Sequence, residues 1–379
     1  MATTSALTVA LFSNQFAAAS GHGIARYSRA LCEALAARPG LAPVPVAAWT
    51  DRTADDLAAL AAETGLRILP TGRRATPILW TWAGRPRLET LVRGRVDVVH
   101  AAALGYPVAT ARPYVVTVHD LGPLTHPEYF TNTRPWVMRK SLDQAVRQAR
   151  AIVCVSQATK DELLDYAGAH LEPRVGVVHE GVARLPQGVG WAAMAHRDLP
   201  PEGVPFVLAT GKISPRKNIL GVMEALAGLL GTLPHHLVIA GGDGWAVDEV
   251  YAAVTRLGLQ GRIHFPGFVS DAELATLYAR ADVYVHPSFY EGFGLTVLEA
   301  MAAGTPVVTA DRSSLPEVAG EAALLVDPGD VDALAQAILR IATDEPLAAD
   351  LRTRGRARAA TFTWEAAAEA MERIYRERM

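Results

Sequence analysis

Short runs of consecutive apolar residues alternate along the chain with longer segments in which apolar positions recur every three to four residues. The short runs fall at 7–12, 44–48, 96–100, 114–118, 151–155 and 175–179. A second series falls at 206–209, 236–240, 263–265, 283–286, 307–309 and 323–326. Many are apolar throughout rather than alternating, as in parallel strands covered by helices on both faces. The intervening segments, for example 26–37 and 271–280, carry helical spacing. Strand–helix–strand alternation predicts an α/β protein with doubly wound parallel sheets. About six strands fall in each half, so two Rossmann-like domains in tandem are predicted. The length of 379 residues agrees, being too great for one ordinary core. Pro/Gly-rich stretches at 185–190 and 199–205 place a linker near 182–204. The expected domains are 1–185 and 186–360, followed by a terminal helix within 361–379.

Half of the residues are hydrophobic and a fifth are charged, which excludes a disordered chain. A net charge of −3 argues against a basic nucleic-acid binder. That charge is an average: residues 1–190 hold 20 Lys and Arg against 15 Asp and Glu, and the remainder is acidic. Residues 67–95 hold seven Arg and one acid, Glu89, with Trp80 and Trp82 among them. Such a segment either touches anionic lipid or a phosphorylated acceptor, or is a solvated Arg-rich loop and helix. Two distant cysteines, Cys32 and Cys154, give no disulfide framework and point to a reducing compartment. No apolar run approaches the ~18 residues of a membrane span, and the first residues lack a basic n-region. The expected setting is cytoplasmic, with peripheral contact at the inner face of a membrane through 67–95.

The most informative stretch follows the run 283–286. Pro287 ends the strand, Gly292 and Gly294 make a tight loop, and 295–303 has helix composition closed by Gly304. Unpaired amides of Leu295 and Thr296 at that helix start make an anion site. Glu291 and Glu299 flank it. A carboxylate repels phosphate, so these two suit hydroxyls, Glu299 those of a ribose and Glu291 those of a sugar beyond the phosphates. Read singly, each is an ordinary helix acid.

Glu291, seven residues, then Glu299 resembles the signature of retaining glycosyltransferases of family 4, and the match extends over 290–308, 313–320 and 325–328. The resemblance covers essentially the whole chain and implies the GT-B fold, two Rossmann-like domains facing across a cleft, with the last helix returning to the first domain. It implies a nucleotide diphosphate sugar held mainly by the second domain, with Gly292, Phe293, Gly294, Leu295, Thr296 and Glu299 around it. After the run 206–209, Lys212, Arg216 and Lys217 supply cations. By resemblance Lys212 and Lys217 bind the diphosphate, although Arg or an uncharged residue is more usual where Lys212 stands. Arg216 is counted with the donor-binding residues, unless it is structural and pairs with a carboxylate. Phe268 and Val269 are expected to line the nucleobase pocket, beside a helix capped by Ser270.

In the first half, Gly21, His22 and Gly23 open a helix. A dinucleotide fingerprint needs a third Gly or Ala where Arg26 stands, so that reading fades. By resemblance these residues are the glycine loop, with Gly21 and Gly23 on the donor and His22 on the acceptor side. His119 and Asp120 follow directly on the run 114–118, at the carboxyl end of a strand. The family places this His against the donor sugar; Asp120 is expected on the acceptor side, where it orients the ring. His100 is a weaker candidate, and Ser156 is expected to cap a helix.

The resemblance implies transfer of a hexosyl unit, mannose and GDP-mannose first, to an acceptor hydroxyl in polysaccharide or glycolipid assembly. It implies same-face attack, catalytic roles for His119, Glu291, Lys217 and Lys212, and no metal or other cofactor. A lipid-linked acceptor suits the segment 67–95. The rivals are a same-fold UDP-sugar epimerase, a nicotinamide-dependent oxidoreductase disfavoured by Arg26, and a non-catalytic sugar-nucleotide sensor.

Overall fold

The computed structural model describes residues 6–17, 23–48, 53–70, 72–130, 135–183, 185–245 and 247–379. They divide into two units: Met1–Gly181 together with Thr363–Met379, and Val182–Phe362. The chain thus passes into the second unit at 182, earlier than the expected 185/186, and leaves it at 362. At that crossing the Val182 amide donates to the Phe362 carbonyl (3.0 Å).

The first unit is built on seven strands: β1 (Leu7–Phe12), β2 (Leu41–Ala47), β3 (Arg67–Ile68), β4 (Val98–Ala101), β5 (Tyr114–Val118), β6 (Ala151–Cys154) and β7 (Val175–Val177). Their order is β3-β2-β1-β4-β5-β6-β7, and every pairing is parallel. The two-residue β3 was absent from the sequence expectation; a pair of residues inside an Arg-rich stretch carries no run signal. The second unit has β8 (Phe206–Thr210), β9 (His236–Ala240), β10 (Ile263–Gly267), β11 (Val283–His286), β12 (Val307–Ala310) and β13 (Leu324–Val326). Their order is β10-β9-β8-β11-β12-β13, again all parallel. Winding away from β1 and β8 in both directions covers both faces of each sheet. That is why β4, β5, β6, β8, β11 and β12 are buried at every position.

The last helix, Trp364–Glu377, is capped by the Thr363 hydroxyl and packs within the first unit against the helix Gly23–Ala36. Its buried stripe includes Met371 and Tyr375. Arg38 pairs with Glu372 at the edge of the contact. At its centre the Tyr375 hydroxyl meets His100 Nδ1 (2.7 Å), His100 Nε2 meets Thr117 Oγ1 (2.8 Å), and Thr117 Oγ1 meets the Tyr27 hydroxyl (3.0 Å). Burial, aided by the charge of His119, drives the His100 pKa down to about 3, so the ring is neutral. His100 is therefore a satisfied core histidine that anchors the terminal helix. Truncating Tyr375 to Ala removes this anchor and opens a cavity, an expected loss of about 3–5 kcal/mol in urea unfolding. Tyr375→Phe keeps the shape but strips His100 of a partner and should lose about 1–3 kcal/mol.

Candidate active site

In the second unit the winding reverses between β8 and β11, which are hydrogen-bonded neighbours with Val283 beside Val207. The loops leaving their carboxyl ends lie side by side, the place where open α/β sheets take ligands. The loop after β8 turns through Pro215–Lys217 and enters the helix Ile219–Gly228. The loop after β11 carries residues 287–294 into the helix Leu295–Ala303. The neighbouring loop after β9 comes so close that a Cβ on Gly241 would sit 2.1 Å from the Gly211 carbonyl oxygen, so only glycine fits.

Glu291 is the centre of the cluster. Its Oε1 accepts from Lys217 Nζ (2.7 Å) and His286 Nε2 (3.1 Å), and its Oε2 lies 2.6 Å from an Arg216 guanidinium nitrogen. Arg216 also donates to the Tyr290 carbonyl (2.6 Å). Ser314 Oγ donates to the Glu291 carbonyl (2.9 Å), as does Ser313, which itself holds φ +56°. With a side chain only 12% exposed, burial alone would raise the Glu291 pKa; Arg216 and Lys217 outweigh it and hold the carboxyl well below its usual range. Burial pushes the Lys217 ammonium down from its ordinary value, with Glu291 opposing and the Arg216 charge adding to the fall. Burial and the Lys217 charge lower His286 to about 4. A neutral His286 facing a carboxylate must carry its proton on Nε2, which leaves Nδ1 to accept from the Tyr284 hydroxyl (3.1 Å). Tyr284 is tied in turn to Thr210 at the end of β8 (2.7 Å).

The helix Leu295–Ala303 starts beside this cluster. Gly294, at φ +121°, occupies its N-cap and brings no side chain to it. The Gly294 carbonyl takes the Val297 amide (3.0 Å); the amides of Leu295 and Thr296, the first of the helix, have no carbonyl one turn back to bond, which suits such a start to an anion. Gly292 belongs to the same turn, and Phe293 is buried. Glu299 is not a surface acid: it is buried, and the Tyr278 hydroxyl donates to its Oε2 (3.3 Å).

In the first unit, His119 follows β5 directly. Its Nδ1 lies 3.0 Å from Glu180 Oε1 and its Nε2 2.9 Å from the Ala102 carbonyl. The Tyr27 ring meets it edge-on at 4.5 Å. Both ring nitrogens face acceptors, so both donate and the ring is a cation. Burial opposes that charge, but the bond to Glu180, its charge and the Ala102 carbonyl prevail, and the pKa lies above its ordinary value.

Residues 195–358 match the family model described as glycosyl transferases group 1, and residues 21–184 match glycosyltransferase family 4. The Escherichia coli O-antigen chain mannosyltransferase B is 36% identical over 257 residues, covering 66% of this chain and 67% of that one. A Mycobacterium tuberculosis glycogen synthase is 30% identical over 292 residues, covering 74% and 69%. The solved structure of Anabaena Alr3699/HepE in complex with UDP-glucose superposes with a TM-score of 0.70 at 20% identity, covering 97% of this chain and 99% of that one. The chain belongs to the family 4 glycosyltransferases. Its fold is GT-B, two Rossmann-like domains each with a parallel sheet.

The glycosyltransferase brings together Lys217, Arg216, Glu291, Gly294, Leu295 and Thr296, as the motifs suggested. Lys212 is exposed and joins no hydrogen bond or ion pair of that cluster among the described residues. Phe268 is exposed and Val269 buried just after the edge strand β10, two strands away from β8. Gly21 and His22 lie outside the described residues; Gly23 is the first residue of its helix. Asp120 does not orient the His119 ring. Its carboxylate accepts the Gly122 amide (3.0 Å) and its charge helps raise the His119 pKa, while the ring nitrogens meet Glu180 and the Ala102 carbonyl. Ser156 does cap its helix, accepting the Thr159 amide (3.0 Å). Sequence reasoning missed Glu180 and His286. Glu180 lies 61 residues from His119, outside any local motif; His286 was read only as the end of a strand.

Because the folded His119 pKa is raised, its contribution to stability is complete below the unfolded value of about 6.5 and is lost as pH rises through the folded value. Urea unfolding of His119→Gln should therefore show a loss of about 3 kcal/mol at mildly acidic pH that shrinks as pH rises through the folded value. A loss that grows with pH would contradict the cationic assignment.

Proposed function

We propose that this glycosyltransferase moves a mannosyl unit from GDP-mannose to a hydroxyl of a growing saccharide, lipid-linked in the cell, with retention at the anomeric carbon. The Escherichia coli relative named as an O-antigen mannosyltransferase supports the sugar and acceptor class, and the UDP-glucose complex of the Anabaena protein supports a nucleotide sugar as donor.

The observation that carries the reading is the Glu291–Lys217–Arg216 cluster beside the uncapped helix Leu295–Ala303. An ammonium has three donors, of which Glu291 takes one, so Lys217 can hold a phosphate oxygen while the carboxylate keeps it in place. Charge that develops on the departing diphosphate is met by Lys217, Arg216 and the Leu295 and Thr296 amides, already oriented before the reaction. Glu291 itself is a poor covalent nucleophile. Both oxygens are engaged and its basicity is low. That favours same-face attack, in which the leaving phosphate oxygen takes the acceptor proton as the new glycosidic bond forms. These cations and amides supply the positive charge that a divalent ion would otherwise bring.

With purified enzyme and a panel of GDP-, UDP-, ADP- and dTDP-sugars, GDP-mannose should give the largest thermal shift. NMR of the product should show the donor's anomeric configuration kept, and EDTA should leave turnover unchanged. Lys217→Gln should lower kcat about 10²–10³-fold. Glu291→Ala with normal turnover would sink the site assignment.

A further inference from the structure

The helix Gly72–Trp82 in the first unit is inside out for an ordinary surface helix. Trp80 turns inward, buried against Phe12 with its Nε1 donating to the Pro86 carbonyl (2.7 Å). Ile78 and Trp82, one turn apart on the opposite side, are 61% and 75% exposed, and Leu79 is 37% exposed. A second helix, Pro135–Gln148, buries Val137, Ser141, Leu142, Gln144 and Ala145. Its outer face at helical spacing carries Trp136, Arg139, Lys140 and Arg147, with Asp143 the one acid among them. Trp136 is 57% exposed. The two helices are neighbours, because the Lys140 ammonium lies 5.8 Å from the centre of the Trp82 ring.

Exposed indoles and branched aliphatics inside a rim of Arg and Lys combine two requirements. The apolar side chains gain by leaving water, and the cations need anions at the same depth. We propose that this face docks on the surface of an anionic lipid bilayer, with Trp82, Ile78 and Trp136 entering the headgroup layer and Arg139, Lys140 and Arg147 reaching lipid phosphates. Charge selects this occupant. A second copy of the chain on the same face would form an isologous contact that sets each cationic rim against itself. An anionic bilayer neutralises the rim and accepts the indoles, which favour the boundary between water and hydrocarbon. The sequence pointed to 67–95 alone; the helix Pro135–Gln148 adds Trp136 and the cations Arg139, Lys140 and Arg147 to the surface. The inference does not rest on the donor or on the transfer chemistry, and stands if either assignment fails.

The test is co-sedimentation of the full chain with vesicles of equal parts phosphatidylglycerol and phosphatidylcholine, against pure phosphatidylcholine vesicles. The wild type should sediment with the former alone, less so as salt rises. The double variant Trp82→Ser, Trp136→Ser and the double variant Arg139→Glu, Lys140→Glu should each lower the partition coefficient about tenfold or more, with the thermal midpoint unchanged. Tryptophan emission of the wild type should shift to the blue on binding. Equal partition of the wild type and both variants would overturn the proposal, as would absence of phosphatidylglycerol-dependent binding. So would a concentration-dependent dimer that Trp82→Ser, Trp136→Ser abolishes while vesicle binding is absent.

Discussion

A carboxylate stays ionised in a crevice only if cations stay with it, and in the second unit Glu291 meets that condition through two loops 74 residues apart in sequence. Lys217 and Arg216 come from the turn after β8, Glu291 from the turn after β11. The first closes on itself as a 3-10 turn, with the Lys217 and Asn218 amides on the Ser214 and Pro215 carbonyls (3.0 Å each), but joining it to the second takes contacts outside the sheet. The ion pairs do that work, together with the Phe289 amide on the Arg216 carbonyl (2.9 Å) and the serine hydroxyls on the Glu291 carbonyl. Removing either side would leave an uncompensated buried charge. The geometry of the loops and the electrostatics of the site are therefore a single constraint.

The first unit solves a similar problem with the opposite sign at its centre. His119 is the buried cation, and Glu180 and the Ala102 carbonyl are its acceptors. The arrangement ties the end of β4 to the end of β5 and to the segment just before the chain enters the second unit at 182. Next to it, His100 has the same residue type and the opposite state. Its hydroxyl partners, Tyr375 and Thr117, can accept or donate and so tolerate a neutral ring. A carboxylate and a carbonyl cannot. Partner chemistry, rather than burial, decides which histidine carries charge.

The strands and the signature around Glu291 were legible because each is local. Apolar runs mark β5, β9 and β11 to the residue, and Gly294 and Gly304 bracket the helix between them. What failed to show depends on three-dimensional proximity. Asp120 adjoins His119 in sequence, yet a side chain at the next position departs in another direction, and the bond goes to Glu180. Lys212 and Lys217 share one motif, but Lys212 precedes the turn that swings Lys217 inward. His100 and His119 both lie at the carboxyl end of a strand; only the arrival of Tyr375 from the far end of the chain makes the first structural. The exposed indole of Trp82 and the buried one of Trp80 are likewise two residues apart and on opposite sides of a helix.

The charge of the second cluster follows from the state of His286. Glu291 contributes one negative charge, Lys217 and Arg216 two positive ones, and His286 none, since burial and the adjacent ammonium keep it neutral. These four groups sum to one net positive charge, next to the start of a helix. A charged His286 would make the cluster more attractive to anions but would compete with Lys217 for the same oxygen of Glu291. A neutral ring instead donates one hydrogen bond and fixes that oxygen. It passes the remaining polarity back to Tyr284 and Thr210 inside the sheet. The net positive charge is thus carried by Lys217 and Arg216. A site with net positive charge suits the proposed donor, whose diphosphate arrives as an anion and leaves as a more concentrated one when its glycosidic bond breaks.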